Sequence, residues 1–194
     1  METGSTFNIL NMKYILYLFF LLASCYNLRA QDTIVGTAFH VIDGDTYWLN
    51  KATVNGIPAD PSEVFKIRIA GADAPEQRGY SDSDQPGGRM VADSMRKLIK
   101  GQKVTVIKLG SDEWGRIIGR VYVGGIDVTS RLLQSGFAWY LPTKGLSRIL
   151  RKQYKAEFEA AKNERRGVFE KAKNPETPAK FRENHRYIKP IVKA

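Results

Sequence analysis

Along residues 33–123 the hydrophobic positions recur mostly at every second residue, in short runs broken by glycine-rich or acidic turns. Phe65-Lys66-Ile67-Arg68-Ile69 alternates cleanly, with three apolar side chains on one face and two cations on the other, the period of a half-buried strand. Thr33–Asn50 is rich in β-formers and is interrupted by Gly36 and by Asp43-Gly44-Asp45. Asn55-Gly56, between two strand-like runs, predicts a tight hairpin. Further strands are expected over Lys103–Leu109 and Arg116–Val123, with Gly124-Gly125 as the turn. Helical spacing takes over in three places. Met90–Lys100 puts Val91, Met95, Leu98 and Ile99 on one face and is closed by Gly101. Asp127 or Thr129 can cap a short helix that buries Val128, Leu132 and Leu133 and ends at Gly136. Ser147–Arg166 carries Leu150, Tyr154, Phe158 and Ala161 at helical spacing and stops at Gly167. Residues 77–88 are polar and rich in Gly and Pro, the signature of a mobile surface loop. No internal repeat is present. Five short strands, one inserted helix and helices towards the C-terminus predict an α+β fold, mostly β, built on a small Greek-key barrel rather than a parallel sheet.

The first thirty residues follow a different pattern. Lys13 precedes a ten-residue apolar run, Tyr14–Ala23, which is too short for the ~20 residues of a membrane-spanning helix. It matches the charged and apolar regions of a secretory signal peptide, with Met12 as an alternative start. Two exits are legible. Leu28-Arg29-Ala30 is a small-residue cleavage pattern that would leave Gln31 at the N-terminus, and Leu22-Ala23-Ser24-Cys25 resembles a bacterial lipobox that would make Cys25 a lipid anchor. Either exit makes the mature protein extracytoplasmic: secreted, periplasmic or anchored at the cell surface. The expected organisation is a leader over 1–30, a folded domain over 31–170 and a basic tail over 171–194.

Composition narrows the chemistry. The chain has 194 residues, of which 43% are hydrophobic, so an extended disordered protein is excluded. A single Cys cannot close an intramolecular disulfide, and two His with one Cys cannot build a Cys/His zinc site. Thirty Lys and Arg against 20 Asp and Glu give a net charge of +10, which favours a polyanionic partner. The tail over 171–194 holds seven Lys/Arg and two Glu, and reads as a solvated segment that adds modestly to the attraction of phosphate.

Three separated pieces carry candidate chemistry: Ile42-Asp43-Gly44-Asp45-Thr46, Arg68 running to Asp73-Ala74-Pro75-Glu76, and Glu113-Trp114-Gly115-Arg116. Each alone reads as an ordinary turn, strand or loop opening. Together, carboxylates at 45, 73 and 76 are hard oxygen ligands suited to Ca²⁺ or Mg²⁺. Arg68 and Arg116 offer planar charged forks that match a phosphate. A divalent ion and two guanidiniums would stabilise a pentacoordinate phosphorane, and a remaining carboxylate could orient or deprotonate the attacking water. His40 and His185 stand beside no nucleophile motif.

These pieces resemble the signature of the staphylococcal nuclease family: I-D-G-D-T, then R-x₄-D-x-P-E, then W-G-R. The resemblance runs from about Thr33 to Phe169, including G-F-A-W at 136–139 and R-G-V-F at 166–169. It implies an OB-fold barrel, five-stranded and with three helices. It also implies a Ca²⁺ ion held by Asp45, Asp73 and the backbone carbonyl of Ala74, with Glu76 as general base and Arg68 and Arg116 gripping the scissile phosphate. The substrate would be DNA or RNA, cut to 3′-phosphorylated products, with the monomer as the default state. Asp43 would hold its turn. The chain departs from the family at Ala74, where Thr is common, and at Glu113-Trp114, where a Lys-Tyr pair contacts phosphate. It departs again at Trp139-Tyr140-Leu141-Pro142, in the nucleotide shelf. Trp114 and Tyr140 are the candidates for base contacts, with core packing the equal alternative.

Two rival readings remain at the level of sequence. A non-catalytic nucleic-acid-binding OB module would have no need of the complete set Asp45, Arg68, Asp73, Glu76 and Arg116. A basic surface-adhesion lipoprotein would account for Cys25 and the tail, and would leave that set as coincidence.

Overall fold

Alternation along the first strand, β1 (Thr33–Val41), turns Ile34, Gly36 and Ala38 inward, and shifts of register after Val35 and Ala38 bend it around a barrel corner. The strand returns as β2 (Thr46–Val54), which crosses the tight Asn55-Gly56 turn into the two-residue β3 (Ile57–Pro58). Both turn residues have positive φ, 51° and 82°, the geometry that Asn-Gly supplies with least strain. There follow β4 (Phe65–Ile69), β5 (Ala72–Asp73), helix α1 (Gly88–Ile99), β6 (Lys103–Ser111), β7 (Ile117–Val123) and β8 (Ile126–Asp127). Helix α2 (Val128–Gln134), β9 (Trp139–Tyr140), helix α3 (Arg148–Asn163), a 3₁₀ turn at Gly167–Phe169 and helix α4 (Pro178–Asn184) complete the order. The computed structural model describes residues 32–60, 62–77, 83–172 and 174–185, with Tyr14, Ile15 and Tyr17. Cys25, the lipobox and the Ala30 cleavage site lie outside the described residues. The chain divides into Met1–Ala30 and Gln31–Ala194, and every element named above belongs to the second unit.

β1 pairs with both β2 and β6, β6 with β7, β7 with β4, and β4 with β2, so five strands close on themselves. All pairs are antiparallel except β4–β7, which is the mixed Greek-key closure of an OB barrel. The interior is filled by Ile34, Tyr47, Leu49, Ile67, Ile69, Val104, Val106 and Val121, and Val91, Met95 and Ile99 of α1 join the same core. Asp127 caps α2, accepting from Ser130 N at 3.2 Å, while Thr129 is buried and donates to the carbonyl of Ala70 at 2.9 Å. Ser147 caps α3 through Leu150 N at 3.2 Å. Three helices were expected, and α4 is a fourth. It lies inside the segment read as a solvated tail, because Pro178 and Phe181 supply an apolar face and both are buried.

Candidate active site

The turn between β1 and β2 carries the first acids. Asp43 closes it by accepting Asp45 N at 3.0 Å, and the carbonyl of Asp45 accepts Ile69 N at 2.9 Å, which fastens the turn to β4. Gly44 is required by proximity: a Cβ there would lie 2.5 Å from both the Cβ of Ala74 and Cγ1 of Val91. Two residues past β4, Ala72–Asp73 pairs with Trp139–Tyr140, so Asp73 is held in a small ribbon outside the barrel. The guanidinium of Arg68 joins the two pieces, with Nη1 on Oδ1 of Asp45 and Nη2 on Oδ1 of Asp73 at 2.6 Å. The second oxygen of Asp45 accepts Ala74 N at 2.6 Å, and Thr46 Oγ1 donates to Oδ1 at 3.0 Å. Asp45, only 1% exposed, therefore has both oxygens engaged.

Glu76 follows three residues after Asp73 and is also buried. Its backbone is clasped by Gln85: Glu76 N donates to Oε1 of Gln85 at 3.1 Å, and Gln85 N donates to the carbonyl of Glu76 at 3.0 Å. The start of α1 presses on the same carbonyl. A Cβ at Gly88 would fall well inside van der Waals contact with that oxygen and 2.8 Å from its carbon. The carboxylate of Glu76 pairs with Nη1 of Arg182, on α4, whose guanidinium also reaches both oxygens of Asp73 at 3.3 Å.

Arg116 pairs with a different acid. Its Nε donates to Oδ2 of Asp112 at 2.6 Å, its backbone N donates to Oδ1 of the same residue at 2.9 Å, and its guanidinium lies 5.0 Å from the ring centroid of Trp114. Ile117 opposes Ile67 across the parallel pair, so Arg116 opens the strand that runs beside Arg68. Trp114 is 70% exposed at the β6–β7 turn, whereas Tyr140 is half-buried in β9 opposite Ala72 and packs against the core. Of the sequence-predicted set, the fold thus links Asp45, Arg68, Asp73, Ala74 and Glu76 through hydrogen bonds and ion pairs, and sets Arg116, with Trp114 beside it, at the start of the adjoining strand.

A family model described as staphylococcal nuclease homologue matches residues 66–171, more than half of the chain. The chain belongs to the staphylococcal nuclease family. It is 34% identical over 107 residues to an uncharacterized endonuclease of Escherichia coli, across 55% of this chain and 60% of that protein. It is 29% identical over 125 residues to a staphylococcal-like nuclease of Arabidopsis thaliana, across 64% of this chain and 35% of the relative. A probable endonuclease of Komagataella phaffii is 28% identical over 158 residues, across 74% and 69% of the two chains. The chain thus spans about three fifths of the bacterial relative's length and about one third of the plant relative's. The matched stretch contains Arg68, Asp73, Glu76 and Arg116; Asp45 precedes it and Arg182 follows it.

Staphylococcal nuclease relatives typically depend on a metal ion. Among the described residues no three acidic, His or Cys side chains converge as a ready-made metal cluster, because Asp45 and Asp73 turn onto Arg68 and Glu76 turns onto Arg182. The donor chemistry nevertheless fits a hard divalent cation. Four buried carboxylates, Asp43, Asp45, Asp73 and Glu76, meet two guanidiniums, so the cluster lacks positive charge. Burial pushes the carboxyl of Asp45 up to about 7 against the pull of Arg68, and burial likewise raises Asp43 and Glu76 above the ordinary carboxylate range. Arg68 and Arg182 move the other way. Burial works against their charge, but the surrounding acids hold both more firmly protonated than a free guanidinium.

The sequence reading missed Gln85, Asp112 and Arg182. Asp112 was within local reach, four residues before Arg116. Arg182 had one available signal, since Thr177 followed by Pro178 is a helix-start pattern inside a stretch valued only for its charge. Gln85 had none, because a buried polar side chain in a polar loop looks like its neighbours.

Proposed function

We propose that this protein is a Ca²⁺-dependent phosphodiesterase that hydrolyses DNA or RNA to 3′-phosphorylated products. The observation that carries this reading is the single guanidinium of Arg68 spanning Asp45 and Asp73, which draws acids from two distant segments onto one cation position. Asp45, Asp73 and the carbonyl of Ala74 would hold the ion. Calcium, when bound, supplies positive charge against which the equatorial oxygens of a phosphorane accumulate negative charge. Glu76 holds the attacking water and accepts its proton, a role favoured by a carboxyl whose basicity burial has raised. Arg68, and Arg116 from the adjoining strand, grip the non-bridging oxygens. As the water oxygen bonds to phosphorus, the bond to the 5′ oxygen breaks and that oxygen takes a proton from solvent, leaving a 5′-hydroxyl and a 3′-phosphate. Trp114, exposed beside Arg116, offers a face for a base, a contact worth ~1–3 kcal/mol in single-strand binders. Tyr140 packs against the core and ranks behind it.

The deciding experiment digests plasmid and single-stranded substrates with purified protein across CaCl₂, MgCl₂ and EGTA, with end-group analysis of the fragments. Calcium-dependent turnover with 3′-phosphate ends is expected. Binding without turnover would refute the enzyme reading in favour of a nucleic-acid-binding module. Export is a separate proposal: the leader over 1–30 directs the chain out of the cytoplasm, with Cys25 as its lipid attachment. Cys25→Ser should release the protein from membranes, and an unchanged membrane fraction would refute that attachment.

A further inference from the structure

The C-terminal segment does not simply pass near the acids; it is fastened over them at three points. Phe181 anchors α4 by burial to 3% exposure, and the imidazole of His185 stacks on its ring at 4.1 Å. Upstream, Gln85 Nε2 donates to the carbonyl of Glu176 at 2.7 Å, using the same side chain that clasps the backbone of Glu76. Between these fastenings, Arg182 occupies both oxygens of Asp73 and Oε1 of Glu76. Its side chain is 38% exposed, against 13% for Arg68, so Arg182 is the more open of the two to water.

We infer that α4 is an inhibitory strap, with Arg182 a tethered cation that occupies the carboxylate face a divalent ion and the attacking water would otherwise use. This rests on the metal-dependent reading above. Two charges of one sign compete for one set of acids, so the closed strap weakens cation binding by the fraction of molecules in which it is closed. A guanidinium on Oε1 also takes a lone pair that Glu76 needs as a base. A divalent cation held by Asp73 would remove the cluster's need for Arg182. The helix then lifts with its anchor. Control of this kind fits a basic enzyme that would otherwise engage any polyanion it met.

The test titrates the full-length chain with CaCl₂ alone by calorimetry and follows amide hydrogen exchange over 177–184 with and without the ion. Arg182→Ala should bind calcium more tightly by on the order of tenfold, within the ordinary range of coupling between competing sites. Phe181→Ala, which loosens the anchor and changes no charge, should shift affinity in the same direction. In the parent, calcium should speed exchange in α4. Equal calcium affinity in the parent and both variants would overturn the strap alone. An Arg182→Ala variant with unchanged calcium affinity but weaker binding of a nucleoside 3′,5′-bisphosphate would overturn it too, making Arg182 a substrate-gripping arm. Failure of all three proteins to bind calcium would refute the metal-dependent reading, and the strap with it.

Discussion

Gly88→Ala tests the geometry of the site without altering any reacting group. At ordinary contact a Cβ sits no nearer than about 3.4 Å to its neighbours, yet one built at residue 88 would lie 2.8 Å from the carbonyl carbon of Glu76 and closer still to its oxygen. The carbon must retreat by about half an ångström and the oxygen by about one. That carbonyl also accepts Gln85 N at 3.0 Å, and the amide of the preceding peptide donates to Gln85 Oε1 at 3.1 Å, so a retreat of the carbonyl strains the hydrogen bonds that hold Glu76. Overpacking of this kind costs about 1–3 kcal/mol of stability. The functional cost is of the same order, because a displacement near 1 Å of a positioned group can lower turnover by about 10²-fold, or about 2.7 kcal/mol. Turnover of a fluorogenic oligonucleotide at saturating calcium measures the loss, and thermal unfolding gives the stability change on the same sample. Gly110→Ala is the control: nothing lies within 4 Å of a Cβ there, and it should be silent in both assays. A Gly88→Ala protein with parental turnover would refute the claim that the position of Glu76 is set by its contact with α1.

Glu76→Gln should abolish most turnover while leaving nucleotide binding largely intact, read by single-turnover kinetics beside equilibrium binding; near-parental rates would remove Glu76 from the chemistry. Arg68→Lys should be as inactive as Arg68→Ala, since an ammonium cannot bridge two carboxylates or present a two-pronged fork to phosphate. A Lys variant with parental kcat/KM would contradict this. The pH dependence has a definite sign. Asp45 keeps its proton up to about 7 in the fold, whereas an unfolded carboxyl releases it near its ordinary value of 3.8. In the metal-free protein the contribution of Asp45 to stability therefore falls as pH rises from about 4 towards 7. With Asp45 as a calcium ligand, as proposed, only its ionised form would bind, so the rise in Tm on adding calcium should be larger at pH 8 than at pH 5.5 by scanning calorimetry, and an equal rise at both would count against Asp45 as a ligand.

Local chemistry made much of this fold legible. Phe65–Ile69 is a strand with the bounds its alternation gives, Asn55-Gly56 is the hairpin its φ preferences demand, and Ser147 and Asp127 cap the helices they precede. The Asp43-Gly44-Asp45 turn and the strand carrying Arg68 were equally readable. What pattern alone could not supply was closure: the parallel β4–β7 pair joins residues about fifty positions apart, and no local signal specifies it. The same limit applies to the site. The Asp112 partner of Arg116 is a second such case, since no pattern in the sequence marks which acid will hold its Nε. Arg182 reaches Glu76 across 106 positions, through an anchor at Phe181 that looked like one apolar residue in a charged stretch.

The manner in which each acid is mounted has a thermal consequence. Asp45 and Asp73 ride on backbone that is hydrogen-bonded to strands, whereas the backbone of Glu76 is hydrogen-bonded to one loop residue, Gln85, through its side-chain oxygen and its own N–H. Partial opening costs least where the fewest bonds must part. Warming should therefore free Glu76 while Asp45 and Asp73 stay in place until the barrel itself melts, so under the proposed mechanism hydrolysis would fail some degrees below the temperature at which the cation is released.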